Sequence, residues 1–153
     1  MTLFSAPQTQ LTSDDCYTPA WIFEAMGLRF DVDVSSPPSG VPWIPCDQFF
    51  TMAEDGLAQP WVGRVWMNPP YSNATPWARK FMAHRNGVAL LPWAKSRWCD
   101  EVWDAADAIV SLGTRTDGFV GSIRSPRTSC FLAAYGAECV EAIGRVGTVR
   151  LTA

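Results

Sequence analysis

The chain has 153 residues, of which 48% are hydrophobic, which is enough for one buried core and too apolar for a disordered protein. Its net charge of -3 and its pI near 5.0 argue against a protein that holds nucleic acid mainly through a large basic surface. No stretch reaches the roughly 20 apolar residues of a membrane span, and residues 1–10 lack the blocks of a signal peptide, so we expect a cytoplasmic protein without a membrane partner.

The cysteines and the first residues of the chain indicate neither a metal centre nor a second domain. The five cysteines form no CxxC pair and have no histidine at ligand spacing, so we expect free thiols and no metal. Residues 1–13 are rich in Thr, Ser and Gln and lack hydrophobic periodicity, which predicts a mobile arm before one domain over residues 14–153. The cysteines are Cys16, Cys46, Cys99, Cys130 and Cys139.

The first predicted unit is a helix followed by a strand. Thr18 can cap a helix over residues 19–26, which begins with a proline and is followed by a glycine. Residues 28–34 alternate in part between apolar and polar side chains, which predicts a strand that ends near Asp33. Residues 35–45 contain four of the twelve prolines, so we expect an irregular loop there, of the kind that often serves a site.

The second predicted unit contains the motif Asn68-Pro69-Pro70-Tyr71. Residues 62–67 read as a buried strand that runs directly into this motif, where consecutive prolines must end sheet pairing. Thr75 can cap a second helix that has a proline at its first position, and an apolar strand over residues 88–91 follows. The motif is therefore predicted at the carboxyl end of a strand.

The rest of the chain continues the alternation of helices and strands. We predict a helix over 96–106, strands over 108–112 and 129–134, and a closing helix over 137–143. This order is typical of an α/β fold, and we predict one compact Rossmann-like domain whose sheet has helices on both faces. Ligands of such sheets bind beyond the carboxyl ends of the strands, which would place Asp33, Asn68 and Pro92 around one cleft.

The motif suits the methylation of an exocyclic base amine. Such an amine is a poor nucleophile because its lone pair is delocalised into the ring. The side-chain oxygen of Asn68 and the carbonyl of Pro69 can accept hydrogen bonds from the two amine hydrogens and aim the nitrogen at a methyl sulfonium. Pro69 and Pro70 stiffen the turn, and Tyr71 can stack on an extruded base, an interaction worth roughly 1–3 kcal/mol.

Several ordered motifs make residues 14–135 resemble the phage-type DNA N-6-adenine methyltransferases. These motifs are Asp15-Cys16-Tyr17-Thr18-Pro19, Phe30-Asp31-Val32-Asp33-Val34, Phe49-Phe50-Thr51 with Asp55-Gly56-Leu57 and Trp61, Asn68-Pro69-Pro70-Tyr71-Ser72, and Leu90-Leu91-Pro92. The resemblance implies methyl transfer from S-adenosylmethionine to the N6 amine of a flipped-out adenine in DNA, without a metal, in a bacterial or phage-infected cell. A Gly-x-Gly loop after the first strand is missing here, as in that family.

The resemblance also implies roles for individual residues. A carboxylate at Asp33 would accept from the methionine ammonium of the cofactor, and Asp55 would approach the amine of its adenine. The residues expected to bind the cofactor are Tyr17, Thr18, Pro19, Asp33, Ser35 and Asp55. Those expected at the substrate are Tyr71, Ser72, Trp93 and Arg97, where the basic side chain of Arg97 beside an aromatic residue suits phosphate or an unpaired base.

Two other functions are compatible with the same residues. The motif also resembles the site of methyltransferases that act on protein glutamine amides or on RNA base amines. A non-catalytic nucleic-acid-binding module is the third interpretation. Arg79, Lys80 and Arg85 either contact the DNA backbone or form a solvated helix face. Base recognition is expected from loops such as 113–127, and the recognised DNA sequence and the oligomeric state stay open.

Overall fold

The computed structural model describes residues 17–113 and 129–151, and a mixed β-sheet organises them. The strands are β1 (Phe30–Asp33), β2 (Cys46–Phe49), β3 (Val65–Met67), β4 (Gly87–Pro92), β5 (Ala108–Gly113), β6 (Cys130–Tyr135) and β7 (Val149–Leu151). The helices are α1 (Ala20–Met26), α2 (Ala74–His84), α3 (Arg97–Ala105) and α4 (Ala137–Gly144), and a short 3-10 turn over Tyr71–Asn73 precedes α2.

The strand order contains a topological switch point between β1 and β3, in the parallel half of the sheet. The order is β2-β1-β3-β4-β6-β5-β7, in which β2, β1, β3 and β4 are mutually parallel. After β1 the chain adds β2 on one side and then returns to add β3 on the other. The carboxyl ends of β1 and β3 therefore border a crevice of the kind that binds ligands in open α/β sheets.

Helices cover both faces of the sheet, as predicted. On one face, α1 and α4 pack against a core that includes Trp66 and Leu90. On the other face, α2 and α3 pack against a core that includes Met67 and Phe131. Successive strand residues alternate between the two cores because side chains of a strand point to opposite faces. The six residues of β6 are all buried, which is expected for a central strand covered on both sides.

The predicted elements all form, with boundaries that shift by a few residues. Two short strands were not predicted: β2, which is exposed over most of its length, and β7, which has three residues. The antiparallel insertion of β6 between β4 and β5 was not predicted either. Within residues 17–113 and 129–151, no helix has the length and apolar character to span a membrane.

Both predicted helix caps were wrong. Helix α1 has Pro19 at its N-cap and α2 has Asn73 there, and neither N-cap makes a capping hydrogen bond through its side chain. Thr18 is instead 1% exposed and its hydroxyl faces Asn68. The predicted arm over residues 1–13 and nearly all of the predicted recognition loop, residues 114–127, lie outside the described residues.

Candidate active site

The backbone of Asn68 is held by a side chain from the end of the neighbouring strand. Strand β3 ends one residue before Asn68, and the next two residues are prolines, which have no N–H to pair. The hydroxyl of Ser35 donates to the Asn68 carbonyl at 2.9 Å and accepts from the Asn68 N–H at 3.2 Å. Ser35 follows β1, so these bonds close the crevice between β1 and β3 at its floor.

The side-chain amide of Asn68 is oriented from the start of α1. Its Nδ2 donates to the hydroxyl of Thr18 at 3.2 Å. Thr18 is in turn fixed by Trp43 of the proline-rich loop, whose indole N–H donates to the Thr18 carbonyl at 2.7 Å. The side-chain amide of Asn68 is therefore held through its nitrogen by the segment before α1.

A cleft of about 540 Å³ opens beside Asn68. This volume lies within the range of about 300–1,000 Å³ that is typical of small-molecule sites. The described lining residues come from the segment before α1, the loop after β1, the loop after β2, the Asn68 motif and α2. They are Tyr17, Val34, Ser35, Ser36, Pro37, Pro38, Thr51, Met52, Asp55, Gly56, Asn68, Pro70 and Trp77.

Asp33 is a buried carboxylate at the carboxyl end of β1. It is 3% exposed, and its Oδ1 accepts a hydrogen bond from the Ser35 N–H at 3.2 Å. Burial raises the pKa of Asp33 to about 7, and the Ser35 N–H only partly opposes this effect. Over residues 17–113 and 129–151, no cationic side chain forms a salt bridge with Asp33. The position therefore suits a ligand that brings a positive charge.

The loop after β2 forms one wall of the cleft and is tightly cross-linked. Asp55 has a φ of 56°, in the left-handed region that aspartate tolerates better than most residues, and its Oδ1 accepts from the Leu57 N–H at 3.2 Å. A Cβ at Gly56 would lie 1.9 Å from the carbonyl oxygen of Val34, so only glycine fits there. The indole N–H of Trp61 donates to the Gly56 carbonyl at 2.8 Å.

Lys80 of helix α2 stabilises the same loop through hydrogen bonds to its main-chain carbonyls. Its ammonium donates to the carbonyls of Gly56, Leu57 and Gln59, with 2.8 Å to Leu57, and lies 4.9 Å from the centroid of the Trp61 ring. Desolvation lowers the pKa of Lys80, and the nearby Asp55 carboxylate opposes that effect. Lys80 therefore bonds to main-chain carbonyls of the loop rather than extending into solvent as part of a solvated helix face.

Tyr71 is half-buried, lies outside the cleft lining and contacts β6. Its hydroxyl lies 3.5 Å from the sulfur of Cys130, and its ring packs against the core on the α1 side of the sheet. Cys130 is buried and unbridged, as are Cys99 and Cys139, while Cys46 is partly exposed. Among the described residues, no group of three or more His, Cys, Asp or Glu side chains is placed to hold a metal ion.

This geometry agrees with what comparison to known proteins finds. Residues 7–129 match the DNA N-6-adenine-methyltransferase (Dam) family. The chain belongs to the Dam family. It is 27% identical over 116 residues to a DNA N-6-adenine-methyltransferase of Haemophilus phage HP1 (strain HP1c1). The matched part covers 69% of this chain and 65% of the phage protein, so this chain spans just under two thirds of that relative's length.

In this Dam-family protein, the residues predicted for the site fall into three groups. Those that line the cleft are Tyr17, Ser35, Asp55, Asn68 and Pro70. Those that are buried beside it are Thr18, Pro19, Asp33 and Pro69. Those that lie outside the cleft lining are Tyr71, Ser72, Trp93 and Arg97.

The residues of the third group surround the carboxyl edge of the sheet. Trp93 follows β4 and is half-buried, with its ring centroid 4.4 Å from that of Phe131 and 5.3 Å from that of Trp103. The side chain of Arg97 is 85% exposed and lies 3.9 Å from Glu101 on the same helix. Trp93 thus packs against Phe131 and Trp103, while the side chain of Arg97 is largely exposed.

Two side chains of α2 contribute to the cleft without having been predicted for it: Lys80 supports its wall and Trp77 lines it. Trp77 is 8% exposed, stacks on Trp61 with 6.4 Å between the ring centroids, and also borders the cleft. A side chain that both packs and lines a cleft gives the same helical periodicity as one that only packs. Lys80 lies about one helical turn beyond Trp77, on the same side of α2. This spacing could have indicated a contact with the loop after β2 only if the path of that loop had been known.

Proposed function

We propose that this Dam-family protein transfers a methyl group from S-adenosylmethionine to the N6 amine of adenine in DNA. The observation that carries the proposal is the Asn68 motif at the carboxyl end of β3, with its amide oriented by Thr18 and a cleft of about 540 Å³ beside it. Membership of the Dam family supports adenine in DNA as the substrate. The phage relative is named a DNA N-6-adenine-methyltransferase, which supports the same substrate.

Asn68 and Pro69 hold the amine in the proposed reaction. The Asn68 side-chain oxygen and the Pro69 carbonyl accept one amine hydrogen each, which localises the nitrogen lone pair and directs it along the line of the bond to be broken. After methyl transfer the amine proton would leave to solvent. Positioning and electrostatics supply the catalysis, so a strongly basic side chain is not required.

The cleft residues fit the proposed cofactor. When bound, S-adenosylmethionine supplies an electrophilic methyl group on a sulfonium. A carboxylate such as Asp33, buried without a cationic partner among the described residues, suits the ammonium of its methionine part. Asp55 offers a carboxylate to an adenine amine, and Tyr17 and Trp77 offer aromatic surface. Thr18, Pro19 and Ser35 support this pocket from behind or from its floor.

DNA is proposed to approach across the carboxyl edge of the sheet. The extruded adenine would stack on the exposed part of Tyr71, beside Ser72, next to the Asn68 turn. Arg97 extends from the first turn of α3 and is placed for a phosphate. Trp93 would support this surface through its packing. We propose that the reaction takes place in the cytoplasm of a bacterial or phage-infected cell.

Transfer of tritium from labelled S-adenosylmethionine tests the function. DNA, RNA and a glutamine-containing protein substrate are compared, and methylated DNA is digested to identify the base. We expect label in DNA as N6-methyladenine. Label confined to RNA or protein would contradict the proposal and favour the other methyltransferase classes, and the absence of both transfer and cofactor binding would favour a binding module.

Asn68→Ala is the decisive variant. We expect its methyl transfer to fall about 100-fold or more, which is the loss typical when one preorganised hydrogen-bonding group of an active site is removed. Asn73→Ala is the matched control, because Asn73 is an exposed asparagine of the same turn and makes no side-chain capping bond. Full activity of Asn68→Ala would remove Asn68 from the mechanism.

A further inference from the structure

A single hydroxyl binds both main-chain polar groups of Asn68. Ser35 donates to the Asn68 carbonyl at 2.9 Å and accepts from the Asn68 N–H at 3.2 Å. Asn68 is the first residue beyond the paired part of β3, and consecutive prolines follow it. A neighbouring strand would normally supply such partners, and here a side chain replaces it.

Ser35 also contacts the carboxylate at the end of β1. Its main-chain N–H donates to Oδ1 of Asp33 at 3.2 Å, while its hydroxyl reaches Asn68, which lies 33 positions further along the chain. One residue thus connects the two sides of the crevice between β1 and β3. On one side is the carboxylate proposed for the cofactor, and on the other is the turn proposed for the amine.

We propose that Ser35 is a positioning residue whose hydroxyl couples the end of β1 to the backbone of the Asn68 turn. This inference rests on the proposed methyltransferase function. The hydrogen bond to the Asn68 carbonyl fixes the peptide plane between Asn68 and Pro69, and the ring of Pro69 restricts the φ of Pro69 itself. The backbone that carries both proposed acceptors, the Asn68 side-chain oxygen and the Pro69 carbonyl, is therefore held by the Ser35 hydroxyl.

Loss of the hydroxyl should affect turnover more than cofactor binding. An active-site group displaced by about 1 Å can lower the rate about 100-fold. We therefore expect Ser35→Ala to lower kcat by about 10- to 100-fold while the KM for S-adenosylmethionine changes less than about threefold. Ser35→Thr keeps a hydroxyl and should retain kcat within about threefold of the wild type, even where its added methyl group raises that KM.

Amide hydrogen exchange of the protein without cofactor tests the contact itself. In Ser35→Ala the Asn68 amide should exchange about tenfold faster, because it loses the acceptor Oγ. Ser36→Ala is the matched control: Ser36 is the next residue, and its hydroxyl donates to the Pro37 carbonyl at 3.0 Å rather than to Asn68. Its Asn68 amide should exchange at the wild-type rate.

The outcomes separate this inference from the proposed function. If the wild-type protein does not methylate DNA, the function fails, while faster Asn68 exchange in Ser35→Ala still supports the structural contact. If the wild type methylates DNA and Ser35→Ala has wild-type kcat, the positioning role is refuted. Wild-type exchange at Asn68 in Ser35→Ala refutes the contact. Loss of kcat in Ser35→Ala with recovery in Ser35→Thr supports the proposal.

Discussion

The buried carboxylate of Asp33 predicts an unusual dependence of stability on pH. Burial raises its pKa from 3.8 to about 7 in the folded protein. Above pH 7 the folded state must keep this carboxylate ionised without a cationic partner among the described residues, while the unfolded state ionises it freely in water. The difference costs the folded protein about 4 kcal/mol at high pH.

The sign of the effect follows from which state binds the proton. Between pH 4 and pH 7 the folded protein holds a proton on Asp33 that the unfolded chain has lost, so stability falls as the pH rises. Between pH 5 and pH 8 this single group should lower the free energy of unfolding by about 3 kcal/mol. Asp33→Asn keeps an acceptor for the Ser35 N–H and carries no charge, so this part of the pH dependence should vanish.

Urea unfolding at a series of pH values measures the effect as the difference between wild type and Asp33→Asn. Glu54 is another carboxyl with a shifted pKa, which the hydrogen bond from the Thr51 hydroxyl lowers, and its contribution cancels in that difference. Equal pH profiles of the two proteins would refute the assignment of a raised pKa to Asp33.

Cofactor binding provides a second test of the same carboxylate. A cationic group beside Asp33 favours its ionised form, so binding of S-adenosylmethionine at pH 6 should release nearly a full proton. Calorimetry in buffers of different ionisation enthalpy measures the proton count. Asp33→Asn should bind more weakly and release no proton, and an unchanged proton release in this variant would exclude Asp33 as the source.

Three further predictions concern the cleft wall and the DNA surface. Lys80→Met should weaken cofactor binding about tenfold by releasing the loop carbonyls, while the neighbouring exposed Arg79→Met should leave it unchanged; calorimetry compares the two. Gly56→Ala should lower the free energy of unfolding by about 1–3 kcal/mol, measured in urea, because its Cβ would meet the Val34 carbonyl. Arg97→Gln should weaken DNA binding and reduce the slope of log affinity against log salt by about 1 in a titration at several salt concentrations.

Local sequence rules predicted much of the fold. Apolar runs indicated the buried strands β3, β4 and β6, which are covered on both faces and so lack any polar alternation. Strand β2 escaped because its Cys-Asp-Gln-Phe sequence is mostly exposed and has neither a buried face nor a β-branched residue. Strand β2 is held in the sheet by its parallel pairing with β1, a long-range contact that its own residues do not indicate.

The same difference between local features and long-range contacts applies to the candidate site. The Asn68 motif could be found in the sequence because its proline pair and its position after an apolar run are local features. The partners of Asn68 could not, because Thr18 and Ser35 reach it across 50 and 33 positions through contacts that the strand order creates. Thr18 and Ser35 were expected to touch the cofactor, yet their hydroxyl groups are used to orient and hold Asn68.

The missed contacts of Lys80 have a similar cause, and they bear on the acidic charge of the protein. A lysine on a helix near a DNA-directed motif suggests a phosphate contact, but this ammonium is satisfied by main-chain carbonyls of the cleft wall. The number of basic residues therefore overstates what the described surface offers to DNA, and Arg97, with its side chain 85% exposed, is better placed than Lys80. If the proposed methylation of DNA is right, the described surface contributes few phosphate contacts, and we expect the affinity for DNA to fall with salt less steeply than that of a protein with a broad basic face.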